Sequence, residues 1–270
     1  MTPKTILITG ATDGIGQATA HQLAAQGHRV LLHGRNPARG QAALTQIQNA
    51  TGNAHLEYFN ADLASLRQVR QLAADVQAKH SRLDVLLLNA GVIAPKRTLS
   101  EDGFELTFAV NHLAYFLLTH LLLEMLKQSA PARVVVVASQ VHHSGQINFN
   151  DLQLERGYSG PKAYSNSKLA NVLFANELAA RLAGTGVTVN SLHPGVINTK
   201  LLRAGWGGGG ASVETGAATS VYLATSAAVE GVTGKYFSNQ QESTPSAASR
   251  NPALQKQLWD VSAQMVRVAA

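Results

Sequence analysis

The sequence predicts an α/β fold, a doubly wound parallel sheet with helices on both faces. Short apolar runs with the length of buried strands alternate with longer runs of helical periodicity, and this alternation is typical of a parallel sheet. Glycine or polar residues follow the strand-like runs, and ligands of such sheets bind beyond the carboxyl ends of the strands. Because no linker interrupts the pattern, we expect a single domain over residues 1–270.

Composition and charge exclude several classes of protein. The 270 residues are 45% hydrophobic and 14% charged, which indicates a globular chain rather than a disordered one. There is no cysteine, and the ten histidines lack the spacing of a metal site, so we expect neither thiol chemistry nor a catalytic metal. The net charge of +6 is scattered, which argues against nucleic acid as a partner. The sequence shows neither a signal peptide nor an apolar run of membrane-spanning length, so we expect a cytoplasmic protein.

The first strand-like run, residues 5–9, leads into a glycine-rich turn and then into a helix over residues 17–26. In this context glycines let the backbone approach a pyrophosphate, and the helix N-terminus supplies N–H groups and a positive dipole. The spacing is Gly-x-x-x-Gly-x-Gly, and a tight strand-to-helix turn without a ligand is the alternative. We predict a Rossmann-like dinucleotide site whose first turn comprises Gly10, Thr12, Asp13, Gly14, Ile15 and Gly16.

The second strand, residues 29–33, ends at Gly34-Arg35-Asn36-Pro37, where a dinucleotide fold meets the adenosine ribose. A carboxylate there binds a free 2′-hydroxyl, whereas an arginine accommodates a 2′-phosphate. Since Arg35 is present and a carboxylate is not, we predict that Arg35 and Asn36 contact the cofactor and that NADP(H) is preferred, with NAD(H) as the second choice. Asp13 would weaken this preference if its carboxylate pointed toward the phosphate, and a solvated loop arginine is the alternative for Arg35.

Further strands and helices follow in alternation. We predict strands over residues 56–59, 83–88, 134–138, 187–192 and 235–237, and helices over residues 38–48, 66–79, 101–126 and 164–182. The residues after the strand ends are Asp62-Leu63, Asn89-Ala90-Gly91, Ser139 and Pro194-Gly195. Because the carboxyl ends of parallel strands share one edge of the sheet, we expect these side chains to belong to one site.

Tyr164 and Lys168 carry the clearest chemical signal. They precede the apolar-periodic run Leu169–Leu182, so they lie in the first turns of a helix, and residues four apart share one helical face. A free phenol titrates near pH ~10 and is a poor proton carrier at neutral pH. A nearby ammonium favours the phenolate and lowers the pKa of the phenol, so the pair predicts an acid/base catalyst. A surface helix that merely carries both residues is the alternative.

Together these motifs resemble the short-chain dehydrogenases/reductases over nearly the whole chain. The glycine turn, Asn89-Ala90-Gly91, Asn111, Ser139, Tyr164 with Lys168, and Pro194-Gly195 with Thr199 occur in the order of that family. The segments Phe108–Leu113 and Ala138–His142 and the late Leu258-Trp259 helix are similar to the retinol-dehydrogenase-like branch. The resemblance implies an enzyme that orients a nicotinamide cofactor for hydride transfer.

The resemblance also implies a role for each matching residue. Tyr164 would deliver or remove the proton on the substrate oxygen, and Ser139 would hydrogen-bond that oxygen. Lys168 would hold the nicotinamide ribose hydroxyls and lower the pKa of Tyr164. Asn111 would fix the proton path behind Lys168 through a water, and a structural site in a buried helix is the alternative for it. Further implied cofactor contacts are Asp62, Leu63, Asn89, Ala90 and Gly91 on the adenosine side, and Pro194, Gly195, Val196, Ile197 and Thr199 around the carboxamide.

Two segments are candidates for substrate surface. Residues 142–163 separate Ser139 from Tyr164 and contain three glycines, so we expect them to form part of a pocket wall. Residues 200–212 contain Trp206 and four consecutive glycines, which suggests a mobile lid, with a disordered insertion as the alternative. The resemblance implies an apolar aldehyde, ketone or alcohol as substrate and a homodimer or homotetramer as the assembly.

We therefore expect an NADP(H)-dependent oxidoreductase that interconverts a carbonyl and an alcohol by hydride transfer, with Tyr164 as the acid/base. Two alternatives use the same fold. A non-enzymatic dinucleotide sensor would usually lack the Tyr, Lys or Ser position, and all three are present here. An epimerase or dehydratase would hold NAD tightly, so release of the cofactor in each cycle would separate it from a reductase.

Overall fold

The computed structural model describes residues 2–269, and an eight-stranded sheet forms its centre. The strands are β1 (Thr5–Ile8), β2 (Arg29–Gly34), β3 (Leu56–Asn60), β4 (Val85–Leu88), β5 (Ala132–Val137), β6 (Val187–His193), β7 (Lys235–Ser238) and β8 (Gln241–Ser243). Their order in the sheet is β3-β2-β1-β4-β5-β6-β7-β8. The first seven strands are parallel, and β8 pairs antiparallel with β7 at the sheet edge. The predicted doubly wound parallel sheet is confirmed.

Helices cover both faces of this sheet. They are α1 (Gly14–Ala25), α2 (Pro37–Thr51), α3 (Leu66–Lys79), α4 (Leu106–Phe108), α5 (Ala114–Gln128), α6 (Gly160–Arg181), α7 (Lys200–Trp206), α8 (Val213–Thr225) and α9 (Pro252–Val266). A π-helical turn, Ala109–Leu113, joins α4 and α5 into one helical run. Two 3₁₀ turns also matter for the site, Gln140–Ser144 after β5 and Ala248–Arg250 before α9.

Two apolar layers hold the helices on the sheet. Successive strand side chains point to opposite faces, so Ile6 and Ile8 of β1 pack into one layer and Leu7 into the other. All three side chains are fully buried. Because both faces are covered, the central strands β1, β4 and β5 are nearly continuous apolar runs.

Side-chain caps fix where four helices begin near the carboxyl edge of the sheet. Asp13 caps α1, Asn36 caps α2, Ser159 caps α6 and Thr199 caps α7, each by accepting a hydrogen bond from a backbone N–H of the first turn. Such caps satisfy donors that the first helical turn leaves unpaired. The loops that carry the candidate site therefore enter their helices at defined points.

The structure contains elements that the sequence pattern does not predict. Helix α8 is rich in Ala and Thr and lacks a clear apolar periodicity, and β8 is a three-residue exposed edge strand. The helix predicted over residues 101–126 begins at Leu106, where the carboxylate of Glu105 caps it. Residues 200–206 of the predicted lid form α7 rather than irregular chain.

Among the described residues, one helical run, Leu106–Gln128, is long and apolar enough to cross a membrane by length and composition. Polar residues, among them Asn111 and His120, interrupt this stretch. In the structure 78% of its most apolar part is buried inside the protein, where it packs against the sheet and α6. The core of the fold therefore accounts for its apolar character.

Candidate active site

A crevice of about 1190 Å³ opens at the carboxyl edge of the sheet, between the ends of β1 and β4 where the strand order reverses. Nearly all of the predicted site residues line it, and Asn36 and Asn111 are the two that do not. The predicted residues that line the crevice are Gly10, Thr12, Asp13, Gly14, Ile15, Gly16, Arg35, Asp62, Leu63, Asn89, Ala90, Gly91, Ser139, Tyr164, Lys168, Pro194, Gly195, Val196, Ile197 and Thr199.

The glycine-rich turn after β1 is open toward this crevice. Gly10 and Gly14 have φ angles of 67° and 54°, which residues with a side chain rarely adopt. A Cβ on Gly14 would meet nothing nearer than 3.6 Å, whereas a Cβ on Gly16 would lie 2.1 Å from the Gly10 carbonyl oxygen. Gly14 therefore leaves room for a ligand beside the N-terminus of α1, and Gly16 lets α1 pack on the turn.

His33 holds this turn from behind, although no feature of the sequence predicts that role. Its Nδ1 accepts a hydrogen bond from the Gly10 N–H at 3.3 Å, and its Nε2 lies 3.0 Å from the Ala61 carbonyl oxygen. Burial lowers the pKa of His33 to about 4, so the ring is neutral at pH 7 and Nε2 carries the proton. His33 thereby links the chain segments that follow β1 and β3.

Asp13 is paired within the protein. One carboxylate oxygen accepts a hydrogen bond from the Gly14 N–H at 2.9 Å, and the other forms an ion pair with Lys200 at the start of α7. The hydrogen bond from Lys200 lowers the pKa of Asp13. Both partners line the crevice, so the pair connects the glycine turn with the candidate lid. No motif of the sequence predicts this role of Lys200. The positive charge of Lys200 offsets the negative charge of Asp13, which would otherwise repel a phosphate.

Arg35 lies just beyond β2, is exposed and lines the crevice. No hydrogen bond or ion pair found within residues 2–269 engages its guanidinium, which leaves it available for a phosphate. Gly34 precedes it, and a Cβ there would lie 2.6 Å from the methyl carbon of Thr12, so a larger side chain would displace Thr12. The structure does not support the predicted contact for Asn36, because its side chain caps α2 by accepting from the Arg39 N–H at 3.0 Å.

Asn89 and Asp62 line the crevice, but their side chains also serve the fold. The Asn89 Nδ2 donates to the carbonyl oxygens of Thr9 at 2.9 Å and Gly10 at 3.2 Å. Asp62 accepts a hydrogen bond from the Ala64 N–H at 3.0 Å. Asn89 therefore holds the glycine turn against the end of β4, and any contact it makes with a ligand comes in addition to that role.

Tyr164 and Lys168 share one face of α6, as their spacing predicts. The Lys168 Nζ lies 5.3 Å from the centroid of the Tyr164 ring and donates a hydrogen bond to the Val137 carbonyl oxygen at 2.9 Å. Both side chains are buried, with exposures of 7% for Tyr164 and 2% for Lys168. An ammonium has three N–H donors, so Lys168 retains donors for the hydroxyl groups of a ligand.

Burial, rather than mutual attraction, determines the protonation of this pair. Desolvation raises the pKa of Tyr164 well above its usual range and lowers the pKa of Lys168 to about 7. The expectation that Lys168 lowers the pKa of Tyr164 stays a prediction, because burial disfavours the charged form of both groups. Tyr164 is a protonated phenol at neutral pH, which is the form that donates a proton.

Ser139 follows β5 and begins the 3₁₀ turn Gln140–Ser144. Its hydroxyl oxygen accepts a long hydrogen bond from the Val141 N–H at 3.4 Å, and the residue lines the same crevice as Tyr164. A hydroxyl, a phenol and an ammonium from two separate segments therefore meet at one crevice. This is the convergence that their motifs predict.

Asn111 lies in the π turn, fully buried behind the crevice. Its amide accepts from the Val92 N–H at 2.8 Å and donates to the Val92 carbonyl oxygen at 2.9 Å and to the Ser167 hydroxyl at 3.0 Å. The Ser167 hydroxyl donates in turn to the Tyr164 carbonyl oxygen at 2.7 Å. These contacts fit the structural alternative, since they tie the chain after β4 to the helix that carries Tyr164.

The segment that follows β6 forms a further wall. Backbone hydrogen bonds from Asn198 to Ala211 at 3.0 Å and from Ala211 to Val196 at 2.8 Å close α7 and the glycine run into a loop. Trp206 of α7 lines the crevice, and its ring packs edge-on against Tyr164 with centroids 5.6 Å apart. At 44% exposure Trp206 is an uncovered aromatic side chain next to the phenol, which makes it a candidate for substrate contact.

The other predicted substrate segment, residues 142–163, lies elsewhere. The structure describes all of these residues, and none of them lines the crevice. Gly145 packs so closely on α6 that a Cβ there would lie 2.5 Å from the Ser165 carbonyl oxygen. The segment therefore supports α6 from outside, and apolar residues such as Val92 and Val141 line the crevice instead.

These residues fit a nicotinamide dinucleotide. Gly14 leaves open space at the N-terminus of α1, and Arg35 has no ion-pair partner within residues 2–269. Lys168 retains N–H donors beside Tyr164. All of them line one crevice, and its volume of about 1190 Å³ exceeds the roughly 300–1,000 Å³ of ordinary small-ligand pockets.

The chain matches a family model and is similar to known proteins, among them the following. The model of the short chain dehydrogenase family matches residues 4–206. Retinol dehydrogenase 14 of Mus musculus is 44% identical over 289 aligned residues, which cover 98% of this chain and 86% of that protein. The crystal structure of an uncharacterized protein from Mycobacterium Paratuberculosis has a TM-score of 0.81 and 32% identity over 98% of this chain and 94% of the other. The NADP active-site complex of Pseudomonas aeruginosa RhlG has a TM-score of 0.71 and 27% identity over 87% of this chain and 93% of the other.

Proposed function

The chain belongs to the short-chain dehydrogenase family, and from that premise we propose an NADP(H)-dependent enzyme that interconverts a carbonyl and an alcohol with Tyr164 as the acid/base. Alcohol/carbonyl oxidoreduction with a nicotinamide dinucleotide is the activity class of the family and of its retinol dehydrogenase relatives. The choice of NADP(H) and of Tyr164 as the acid/base is supported by one observation. Tyr164, Lys168 and Ser139 line the same crevice as the glycine turn and Arg35.

The cofactor, when bound, supplies or accepts the hydride. Tyr164, protonated at neutral pH, donates its phenolic proton to the substrate oxygen as that oxygen gains negative charge. Ser139 donates a hydrogen bond to the same oxygen. Lys168 holds ribose hydroxyls with the N–H donors that Val137 leaves free. This arrangement favours the reduction of a carbonyl near neutral pH.

The preference for NADP(H) rests on charge at the end of β2. Arg35 provides a guanidinium without an ion-pair partner in residues 2–269, and the segment Gly34-Arg35-Asn36-Pro37 contains no carboxylate that could contact a free 2′-hydroxyl. The carboxylate of Asp13 could repel a phosphate, but it is paired with Lys200 and accepts a hydrogen bond from the Gly14 N–H. A 2′-phosphate would therefore meet a cation without an uncompensated anion beside it.

The proposed substrate is an apolar aldehyde, ketone or alcohol. Val92, Val141, Leu201 and Trp206 give the Tyr164 end of the crevice an apolar lining, and apolar side chains bind apolar molecules by excluding water. Retinol, named in the relatives, is an alcohol of this kind. The cytoplasmic location, the single domain over residues 1–270 and the assembly of two or four copies stay predictions.

The activity is tested by mixing the purified protein with NADPH and a panel of apolar aldehydes and ketones that includes all-trans-retinaldehyde. We expect oxidation of NADPH, followed by its absorbance, with at least one member of the panel and with release of NADP⁺ in each cycle. A protein that turns over no carbonyl in the panel, or that retains its cofactor through every cycle, would contradict the proposal.

Tyr164→Phe is the decisive variant. We expect it to lower kcat by roughly 10²–10⁴-fold, the usual contribution of a positioned proton donor, while binding of NADPH, measured by fluorescence titration, is unchanged. Tyr158→Phe is the matched control, because Tyr158 hydrogen-bonds the Ala94 carbonyl oxygen and does not line the crevice. Unchanged turnover in Tyr164→Phe would refute the assignment.

A further inference from the structure

His142 lies three residues after Ser139 and is fully buried. Its Nδ1 is 2.7 Å from the Ser139 carbonyl oxygen, which also accepts a hydrogen bond from the His142 N–H at 3.1 Å. On the other side of the ring, Nε2 accepts a hydrogen bond from the Ser246 N–H at 3.0 Å. The imidazole therefore joins the backbone of Ser139 to a segment more than a hundred residues later in the chain.

These contacts determine the tautomer of the ring. A nitrogen that accepts from a backbone N–H cannot carry a proton itself, so Nε2 is bare and Nδ1 donates to the Ser139 carbonyl. Burial lowers the pKa of His142 to about 4, which keeps this neutral form at physiological pH. His142 thus serves as a fixed donor and acceptor and does not act as a proton carrier.

The segment that Ser246 belongs to is fastened to α6. The Ser249 N–H donates to the Ser246 hydroxyl at 3.3 Å, and the Ser249 hydroxyl donates to the Ser246 carbonyl oxygen at 2.7 Å, which makes a compact turn. The Ser249 carbonyl oxygen accepts hydrogen bonds from Asn176 of α6 at 2.9 Å and from Gln255 of α9 at 2.7 Å. A continuous set of hydrogen bonds therefore runs from Ser139 to the helix that carries Tyr164.

We propose that His142 is a positioning residue that holds the turn of Ser139 in register with α6, so that the Ser139 hydroxyl and the Tyr164 phenol meet one substrate oxygen. The inference rests on the proposed function and adds to it a residue that does not touch the substrate. Its physical basis is that a donor aimed at developing charge is effective only when its position is fixed before the reaction.

A purely structural role for the ring makes a different prediction. The His142 ring packs 4.8 Å from the ring of Tyr236 and 4.2 Å from the ring of His143, measured between centroids. If packing alone mattered, Phe would replace His142 best, because it keeps a ring of similar shape. If the hydrogen bonds matter, Asn and Gln would each replace it better than Phe, since the Asn amide nitrogen reaches about the place of Nδ1 and the Gln amide oxygen about the place of Nε2.

The experiment compares His142→Asn, His142→Gln and His142→Phe by kcat and KM for all-trans-retinaldehyde with NADPH. We expect Phe, which keeps neither hydrogen bond, to lower kcat by roughly 10–100-fold, the cost of a small misplacement of a reacting group, and Asn and Gln, which each keep one of the two, to lose less. The KM for NADPH should stay constant, because the contacts to the glycine turn are untouched. His143→Gln is the matched control, since His143 is the exposed neighbour, and it should behave as the wild type.

An order in which Phe is the best replacement, or losses in kcat that follow the melting temperature of each variant, would overturn the proposal. A second measurement needs no variant to fold. Nitrogen-15 NMR of the wild-type histidine rings should show His142 as the Nδ1–H tautomer, and the Nε2–H tautomer would also overturn it. A wild type that reduces no carbonyl would refute the proposed function itself, whereas an active wild type with the wrong order of variants would refute only the role of His142.

Discussion

Lys168 and Tyr164 lose contact with water when α6 packs on the sheet, and this loss affects their protonation more than their closeness does. The spacing of the two residues predicts that they share a helical face, and they do. The spacing does not predict the pKa of either group, because desolvation depends on burial, which a four-residue spacing does not reveal. At neutral pH Tyr164 is in the protonated form, which is the form that can donate a proton to a substrate oxygen.

Lys168→Met tests the buried ammonium at this scale. The folded-state pKa of about 7 lies below the pKa of 10.5 of a lysine exposed to water, so between these values the unfolded chain binds the extra proton and stability rises with pH. The cost of the buried charge is fully present below pH 7. We expect Lys168→Met to raise the free energy of unfolding by roughly 2–5 kcal/mol at pH 6, and this gain should shrink toward pH 10.

Urea unfolding of wild type and variant at pH 6, 8 and 10 measures that difference. Lys162→Met is the control, because Lys162 is exposed on the same helix and does not line the crevice. A gain for Lys168→Met that is the same at pH 6 and pH 10 would show that Lys168 titrates in the folded protein as it does in the unfolded chain.

Arg35→Asp tests the cofactor preference. A carboxylate in place of the guanidinium removes a charge-assisted contact and adds repulsion, so we expect the Kd for NADP⁺ to rise by about 10²-fold while the Kd for NAD⁺ stays nearly constant. Arg29→Asp is the control, because Arg29 is exposed at the opposite end of β2. If the two dinucleotides weaken equally in Arg35→Asp, the 2′-phosphate does not bind at Arg35.

At the scale of elements, the 3₁₀ turn after β5 and helix α6 fix the geometry of the site together. The Gln146 N–H donates to the Asn166 side chain at 2.9 Å, and Lys168 donates to the last residue of β5. Gly145 is the point of closest approach, since its missing side chain lets the turn lie against the backbone of α6. The helix positions Tyr164 and Lys168, and the turn positions Ser139.

Gly145→Ala tests this contact. The added Cβ would lie 2.5 Å from the Ser165 carbonyl oxygen and 2.8 Å from the Leu169 Cβ, so the turn must move away from α6. We expect a loss of roughly 1–3 kcal/mol in the free energy of unfolding, as for other overpacked sites, and a larger proportional loss of kcat than of NADPH affinity. Chemical denaturation and steady-state kinetics measure the two effects.

The control for this contact is Gln146→Ala. Gln146 is the exposed neighbour of Gly145 and uses its backbone N–H for the contact to α6. Wild-type stability in Gly145→Ala would mean that the turn and α6 are not packed as closely as the structure has them.

At the scale of the whole molecule, the sequence predicts the sheet and most of the crevice lining, because strand periodicity and the residues at strand ends are local signals. It does not predict β8 or α8, which lack such signals, nor the place of residues 142–163, which depends on packing. The sequence also does not predict that the Asn36 side chain caps α2. A residue before a helix can either cap the helix or contact a ligand, and the local sequence does not distinguish the two. His33, Lys200 and His142 act through partners distant in sequence, which no motif reveals.

The C-terminal part of the chain belongs to this larger scale as well. Trp259 of α9 stacks on Phe174 of α6 with centroids 6.0 Å apart, and the Ser262 hydroxyl lies 2.8 Å from Nε2 of His112 in the π turn. The family model ends at residue 206, yet α9 contacts both the helix of Tyr164 and the turn of Asn111. The last helix therefore helps to hold the elements on which the site depends.

The most direct test of the central claim is a crystal structure of the protein with NADP⁺ bound. We expect the diphosphate at Gly14, the 2′-phosphate at Arg35 and the nicotinamide ring beside Lys168. The Tyr164 and Ser139 hydroxyls should both be turned toward the same side of that ring. A dinucleotide bound outside this crevice, or Tyr164 and Ser139 hydroxyls that face away from each other across the ring, would contradict it.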